Sequence, residues 1–141
     1  MGKENLLMDW TKFNELAILV IDDDQFTREL IKTILKQVPT LTVYEAKNGR
    51  EALATMSGMK LDMVLLDLYM PQMNGKEFIE TVRRNNQYQS LPIVLITTDR
   101  LGQGELSDIG ANYYLTKPFD FHNFLNSIYS FFEQETILNA T

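Results

Sequence analysis

Four of the apolar runs in this sequence end in, or are followed by, residues that could take part in chemistry. The triplet Asp22–Asp24 follows the first run, and Asp67 ends another. Thr97 ends a later run, and Lys117 follows the last. Carboxylates that meet in one place repel each other, so a fold that gathers them must protonate some or bind a cation. We therefore ask whether the fold brings these residues together.

A cation, an ammonium and a hydroxyl around carboxylates would suit one kind of reaction. Mg²⁺ fits such a site best, because it prefers oxygen ligands, keeps several waters and needs few protein carboxylates. Lys117 adds a fixed positive charge and Thr97 a hydroxyl. Such groups stabilise a phosphoryl group in transfer, whose charge spreads over three oxygens. The nucleophile would be the carboxylate most open to the incoming group.

Five short apolar runs rich in Val and Ile alternate with segments of helical periodicity. Runs that are apolar on both faces are typical of strands buried on both sides, as in parallel sheets. The alternation predicts an α/β fold, with a five-stranded parallel sheet and helices on both faces, doubly wound and flavodoxin-like. Right-handed crossovers favour the strand order 2-1-3-4-5. The runs are Ala17–Ile21, Leu41–Ala46, Met63–Asp67, Ile93–Thr97 and Tyr113–Thr116.

The helical segments differ in strength. Asn48 is a cap for the second, and Gly75 opens the third. The fourth is weak, because Gly102 and Gly104 each cost about 1 kcal/mol in a helix. The first helix is predicted to bury Phe26, Leu30, Ile31, Ile34, Leu35 and Val38, and the last to bury Phe124, Leu125, Ile128 and Phe132.

The predicted sheet brings the acidic residues to one edge. In open α/β sheets a ligand lies beyond the carboxyl ends of the strands, where the strand order reverses. In the order 2-1-3-4-5 that point lies between strands 1 and 3, which end in Asp22–Asp24 and Asp67. Strand 2 lies away from it and ends in Ala46 and Lys47, without an acid. Each acid also has an ordinary structural explanation, and Asp24 is predicted to cap the first helix.

Composition excludes several classes of function. The 45% hydrophobic and 23% charged residues are those of a globular protein, so we do not expect disorder. A net charge of -6 argues against direct nucleic-acid contact, which needs clustered Lys and Arg. No apolar run reaches the roughly 18 residues of a membrane span, so we expect no membrane insertion. The sequence contains no cysteine and no secretory signal, and we expect a cytoplasmic protein.

Two motifs that carry the acids resemble those of receiver domains in two-component signalling. ILVIDDD at Ile18–Asp24 is similar to the first strand of that family with its acidic pair, Asp22 and Asp23. LLDLYMPQMNG at Leu65–Gly75 resembles the phosphoacceptor segment, in which Asp67 is the accepting carboxylate. The resemblance thus names the nucleophile that the residue types alone left open.

Two later motifs extend the resemblance over about residues 16 to 133. LITT places Thr97 at the family's switch hydroxyl. GANYYLTKPF places Tyr114 at the switch aromatic and Lys117 at the family's lysine. Four motifs in order and at compatible spacing imply a response regulator of the chemotaxis type, a phosphoacceptor rather than an enzyme, which catalyses its own phosphoryl transfer and dephosphorylation.

The resemblance also implies a cofactor and partners. Mg²⁺ is held by the carboxylates of Asp23 and Asp67 and the main-chain oxygen of Tyr69, with Asp22 acting largely through water. The phosphoryl donor is a sensor histidine kinase or a histidine phosphotransfer protein, and Lys117 pairs with the transferred group. A downstream protein then reads a conformational switch. The Lys117–Pro118 bond is expected to be cis, and the chain to be a monomer or a weak dimer.

The resemblance leaves the two ends of the chain outside it. Residues 1–15 are an N-terminal extension, 16–135 the receiver domain, and 136–141 a tail too short for an output domain. Leu6, Trp10, Phe13 and Ala17 are spaced for one helix face, which predicts a short helix that packs on the domain or on another subunit. A frayed tail is the alternative.

Three other functions compete with this interpretation. A phosphohydrolase of the haloacid-dehalogenase kind needs a D-x-D-x-[TV] string, and Asp22–Asp24 supplies its acids, but Phe26 stands where Thr or Val belongs. A dinucleotide site would use Gly102 and Gly104, but the third glycine of that motif falls on Ser107. A pseudo-receiver that only binds proteins would have no reason to keep the acids and Lys117.

Overall fold

A computed structural model describes residues 8–71 and 73–140, with the backbone alone for 136–140. Strands and helices alternate along the chain as the sequence predicts, and single 3₁₀ turns lie at Trp10–Lys12 and Asn86–Tyr88. The elements are β1 Leu16–Ile21, α1 Gln25–Leu35, β2 Leu41–Ala46, α2 Gly49–Met56, β3 Met63–Asp67, α3 Gly75–Arg84, β4 Ile93–Thr97, α4 Gln103–Ile109, β5 Tyr113–Thr116 and α5 Phe121–Ala140.

The five strands form one parallel sheet in the order β2-β1-β3-β4-β5, which confirms the predicted topology. β1 pairs with β3 up to Ile21 and Leu66, so the residues that follow those two positions lie side by side. The central strands β3 and β4 are buried along their whole length. The edge strands β2 and β5 are partly exposed, which corrects the expectation that every strand is buried on both faces. The reason is that an edge strand pairs with a neighbour on one side only, so its residues are less covered than those of a central strand.

Side chains that alternate along the strands fill two cores, one on each face of the sheet. On one face, Ile18 and Val20 of β1 pack with α1 and α5. On the other, Leu19 and Ile21 pack with α2 and α3. The predicted stripe of the last helix is buried in the first core, at Phe124, Leu125, Ile128 and Phe132. Both cores rest on the same strands, so the strand ends are held from both faces.

The buried stripe of α1 is narrower than predicted. Ile31, Ile34 and Leu35 of α1 are buried, as is Val38 in the turn that follows it, but Phe26 is 76% exposed and Leu30 is 40% exposed. At 3.6 residues per turn, a four-residue step drifts about 40° around the helix, so Phe26 lies roughly 130° from the centre of the buried face. The prediction was wrong for these two residues because it counted spacing and ignored that drift.

The N-terminal segment packs on the domain without forming the predicted helix. Trp10–Lys12 is a single 3₁₀ turn, Phe13 is extended, and Ala17 already belongs to β1. Leu6 lies outside the described residues. The rings of Trp10 and Phe13 are nevertheless buried and pack edge-on against Tyr129 of α5, with centroids 5.1 and 5.6 Å away. The apolar spacing correctly predicted burial but not the conformation.

Two further contacts hold this turn. The amide of Asp9 donates to the hydroxyl of Tyr129 at 3.2 Å. Lys12 forms an exposed ion pair with Glu133. The helix that receives these contacts, α5, has a helical backbone through Ala140, so the backbone of the predicted tail is helical as far as that residue. Within the described residues, no helix is both long and apolar enough to cross a bilayer.

Helix α4 is short and loosely packed, as its glycines predicted. All of its seven residues are described, and none is buried. Its C-terminal end is held from α3, where the guanidinium of Arg83 donates to the carbonyl of Gly110 at 3.1 and 3.0 Å. The same guanidinium donates to the carbonyl of Leu91 at 2.8 Å. The helix is thus tied at one end and rests on few apolar contacts.

The emission of Trp10, the sole tryptophan of the sequence, tests the packing of the N-terminal turn. We expect a blue-shifted spectrum and weak quenching by acrylamide. Tyr129→Ala should shift the emission to the red and increase quenching, because it removes the ring against which Trp10 packs. Tyr113→Ala, which removes an exposed ring on β5, should leave both unchanged. Equal quenching in the folded and urea-unfolded protein would contradict the packing.

Candidate functional site

Three carboxylates meet at the carboxyl edge of the sheet. Asp22 follows β1 and is 2% exposed, Asp67 ends β3 and is 8% exposed, and Asp23 is exposed. One oxygen from each side chain lies within 4.8 Å of the others. The parallel pairing of β1 with β3 produces this arrangement, because it aligns Ile21 with Leu66. The acids that the sequence placed at the crevice are therefore brought together.

The turn after β1 separates a cluster residue from a capping residue. The amide of Asp22 continues the sheet by donating to Ala46 at 3.2 Å, and its Oδ1 accepts from the amide of Asp24 at 2.9 Å. The carboxylate of Asp24 turns away and caps α1, accepting from the amide of Phe26 at 3.2 Å and the hydroxyl of Thr27 at 2.7 Å. Asp24 is thus the helix cap that the sequence predicted.

Burial makes this cluster electrostatically unfavourable in its ionised form. Burial first, and repulsion from Asp22 second, raise the pKa of Asp67 to about 6. The pKa of Asp22 is also raised, chiefly by burial. Lys117 opposes both shifts, with its Nζ 3.4 Å from Oδ2 of Asp22 and 3.7 Å from Oδ1 of Asp67. Among the described residues, Lys117 is the one that forms ion pairs with this cluster.

Strands β4 and β5 position the hydroxyl and the ammonium. Thr97, at the buried end of β4, accepts the amide of Asp99 on its Oγ1 at 3.1 Å. The amide of Lys117 donates to the carbonyl of Thr97 at 2.8 Å, so the base of the lysine is tied to the end of β4. Since Ile96 pairs with Asp67, Thr97 stands at the strand end next to the acids. The Lys117–Pro118 bond is cis, as the resemblance implied.

Tyr69 lies beside the cluster, and the sequence did not predict its partner. Its amide donates to Oδ1 of Asp67 at 3.3 Å, and its largely exposed ring extends to Asp99, to which the hydroxyl donates. Asp99 lies 30 residues further along the chain, in the loop after β4. No motif or spacing marks such a pair, because loop geometry alone brings the two residues together.

Tyr114, the predicted switch aromatic, does not join the cluster. It lies on β5 opposite Leu95, is half-buried, and packs against the second core. Leu106 and Ile109 of α4 pack against the same core. Tyr114 and α4 therefore pack against the same core, and Tyr114 lies two strands away from Asp67 in the sheet.

The donor set fits a hard divalent cation. The cluster offers carboxylate oxygens, and the sequence has no cysteine that could supply a thiolate. Hard cations such as Mg²⁺ and Ca²⁺ take oxygen ligands, and Mg²⁺ commonly uses one or two carboxylates together with waters. A dication would also reverse the repulsion that raises the pKa of Asp67. Asp22, Asp23 and Asp67 could thus hold such an ion.

Comparisons with known proteins agree with the geometry. Residues 18–129 match the family described as "Response regulator receiver domain". Chemotaxis protein CheY1 of Helicobacter pylori is 35% identical over 108 residues, which cover 74% of this chain and 86% of that protein. A protein-glutamate methylesterase/protein-glutamine glutaminase of Treponema pallidum is 32% identical over 111 residues, 75% of this chain. That match spans only 27% of the Treponema protein.

Solved structures give the same result. The chemotaxis response regulator CheY4 of Vibrio cholerae superposes with a TM-score of 0.76 at 32% identity, covering 82% of this chain and 97% of that one. The segment 18–129, which matches the family model, contains the acidic cluster, Thr97 and Lys117. This chain belongs to the family of response regulator receiver domains, proteins of two-component signalling.

Proposed function

We propose that Asp67 accepts a phosphoryl group from a phosphohistidine of a partner protein. One observation carries the proposal: Asp67 lies at a strand end between a carboxylate cluster and an ammonium, with Nζ of Lys117 3.7 Å from its Oδ1. Carboxylates that were merely solvated would have no reason to be buried together. The donor is a sensor histidine kinase or a histidine phosphotransfer protein.

The contacts of the two buried acids favour Asp67 over Asp22 as the nucleophile. Both carboxylate oxygens of Asp22 are engaged, Oδ1 by the amide of Asp24 and Oδ2 by Lys117. For Asp67, the contacts with described residues all go to Oδ1, which leaves Oδ2 for attack. Oδ2 bonds to phosphorus while the phosphorus–nitrogen bond breaks, and the histidine nitrogen leaves with the electron pair and takes a proton from solvent.

The neighbouring residues have separate tasks in this transfer. Asp23, Asp67 and the main-chain oxygen of Tyr69 would hold Mg²⁺, with Asp22 acting through water, and the ion supplies charge neutralisation for the phosphoryl oxygens. Lys117 pairs with one of those oxygens as a point charge. Thr97 donates its hydroxyl to another. The main chain of Lys117 is tied to the end of β4, where Thr97 lies, so both residues stand at the same edge of the sheet as the acids.

The same contacts provide a route from chemistry to signalling. The hydroxyl of Thr97 accepts the amide of Asp99 and can also donate its proton to a phosphoryl oxygen, because a hydroxyl is both acceptor and donor. We propose that this new hydrogen bond draws Thr97 and Lys117 inward and lets Tyr114 turn into the vacated space. Helix α4 would respond, because it has no buried residue and packs against the same core as Tyr114. The two states differ in a defined contact, as a switch requires.

The output of this switch is a contact with a downstream protein. The relatives named as chemotaxis proteins support this class of partner, and the acidic net charge of -6 argues against direct binding to nucleic acid. Location in the cytoplasm and a monomeric or weakly dimeric state remain predictions from the sequence. The hydrolase alternative loses support because Asp24 caps α1, and the dinucleotide alternative because Gly102 and Gly104 open a helix with no buried residue.

Replacing the nucleophile tests the proposed function directly. Asp67→Asn should abolish the hydroxylamine-sensitive acyl phosphate that forms with acetyl phosphate and Mg²⁺, because an amide is a far weaker nucleophile. Intact-mass spectrometry and peptide mapping would detect it. Asp24→Asn is the matched control, since Asn caps a helix as well as Asp and the site should keep its activity. A phosphoryl group found on Asp22 would contradict the assignment of Asp67 as the phosphoacceptor and favour the hydrolase.

Cation binding should stabilise the fold by mass action. At a Mg²⁺ concentration of 100 times the dissociation constant we expect about 2.7 kcal/mol of added stability. That corresponds to a melting temperature higher by several degrees, by differential scanning fluorimetry. Asp23→Asn should remove most of the rise, while Asp108→Asn, on the exposed face of α4, should keep it. An unchanged melting curve in the parent protein would mean that the cluster binds no Mg²⁺.

Loss of the Thr97 hydroxyl should separate phosphorylation from the switch. Thr97→Ala should still accept phosphate on Asp67, because the nucleophile and the cluster are intact. Its amide exchange near Tyr114 and α4 should change little on phosphorylation, since the contact that distinguishes the two states is missing. Thr98→Ala, at the exposed neighbouring position, is the control. A full response in Thr97→Ala would refute the switch while leaving the phosphoacceptor role intact.

A further inference from the structure

Arg28 of α1 is largely buried and contacts the backbone of the turn that carries Asp22 and Asp23. The side chain of Arg28 is 12% exposed and turns back over the turn between β1 and α1. Its Nη1 donates to the main-chain carbonyl of Asp22 at 2.6 Å, and its Nε donates to Glu45 at 3.0 Å. Neither the motifs nor the proposed transfer step assigns a task to this residue.

The carbonyl that Arg28 contacts belongs to the peptide group between Asp22 and Asp23. A peptide group is planar, so a hydrogen bond to its oxygen restrains the orientation of the whole unit. The other side of Asp22 is already held, because its amide donates to Ala46 of β2. Arg28 restrains the side from which Asp23 projects. Asp23 itself is exposed and begins a turn, so its orientation depends on that peptide group.

The guanidinium is anchored to the sheet by Glu45. This carboxylate, on the edge strand β2, accepts from Arg28 through Oε1 and from Lys32 through Oε2 at 2.5 Å. The hydrogen bond from Lys32 is the largest cause of a lowered pKa at Glu45, and the bond from Arg28 contributes. Glu45 therefore stays ionised and opposes the positive charge of the guanidinium. Arg28 and Lys32 share this anchor, but Arg28 alone extends to the acidic turn.

We propose that Arg28 is a positioning residue for the cation site, where it holds the Asp22–Asp23 peptide so that the Asp23 carboxylate faces the ion. This inference rests on the proposed binding of a divalent cation at Asp22, Asp23 and Asp67. Groups that orient metal ligands commonly change metal affinity 10- to 100-fold when they are removed. The geometry places Arg28 in that class, since it contacts the backbone of the ligands and not the ligand oxygens.

A purely electrostatic role for Arg28 would change the Mg²⁺ affinity in the opposite direction. A positive charge near a cation site repels the ion, so removal of a purely electrostatic Arg28 would tighten Mg²⁺ binding. Removal of a positioning Arg28 would weaken it. Lysine at this position separates the two further, because it keeps the charge but lacks the planar fork that contacts Asp22 and Glu45 together.

The test is isothermal titration of the full chain with Mg²⁺ at pH 7.5, with the melting temperature of each metal-free variant as a measure of folding. Arg28→Gln and Arg28→Lys should both raise the dissociation constant, Arg28→Gln by about 10-fold. Lys32→Gln is the matched control. It removes the same charge from the same anchor without touching Asp22, and should change the constant by less than about twofold at physiological salt.

The outcomes separate this inference from the proposed function. If the parent protein binds Mg²⁺, Asp23→Asn does not, and both Arg28 variants bind as the parent does, the positioning role is overturned and the cation site stands. Tighter binding by Arg28→Gln would overturn it in favour of simple repulsion. A parent protein that binds no Mg²⁺ overturns the cation site and this inference together. If Arg28→Gln does not fold, Arg28→Lys decides, because it preserves the charge.

Discussion

The repulsion between the buried carboxylates of Asp22 and Asp67 is the constraint on which the site depends. Burial, together with repulsion from Asp22, raises the pKa of Asp67 to about 6. A carboxylate buried in this way favours its neutral form, whereas the nucleophile that we propose at Asp67 must be ionised. Lys117 offsets part of the conflict, and a divalent cation would offset more. The chemistry of the site follows from charges that the fold holds together against their repulsion.

The rest of the fold holds the strand ends that carry these charges, and its loosely packed helix lies on one face of the sheet. β1 and β3 are held between two apolar cores, so their ends cannot separate to relieve the repulsion. The first core is extended by the N-terminal turn against α5. On the other face, α4 has no buried residue among its seven described positions and is tied by Arg83 at one end. Segments with few buried contacts open most easily, which fits the response that we propose for α4.

The predictions that were wrong inferred the position of side chains from apolar spacing alone. Phe26 matched a four-residue step, but the step drifts around the helix and leaves that ring in solvent. Trp10 and Phe13 matched a helix face, but β1 already begins at Leu16, and a 3₁₀ turn brings both rings to α5. In both cases the hydrophobic pattern was real. Its geometry depended on where the neighbouring elements begin.

By itself, the sequence determined the order of the elements, both ends of four of the five strands, the cap at Asp24 and the identity of the acids at the crevice. These are local properties, because apolar runs and caps are set by residues a few positions apart. Only the tertiary structure decided which other residues contact the site, namely Arg28 at the carbonyl of Asp22 and Asp99 at the hydroxyl of Tyr69. Such contacts join backbone groups and loop residues whose separation in space depends on the packing of the whole domain.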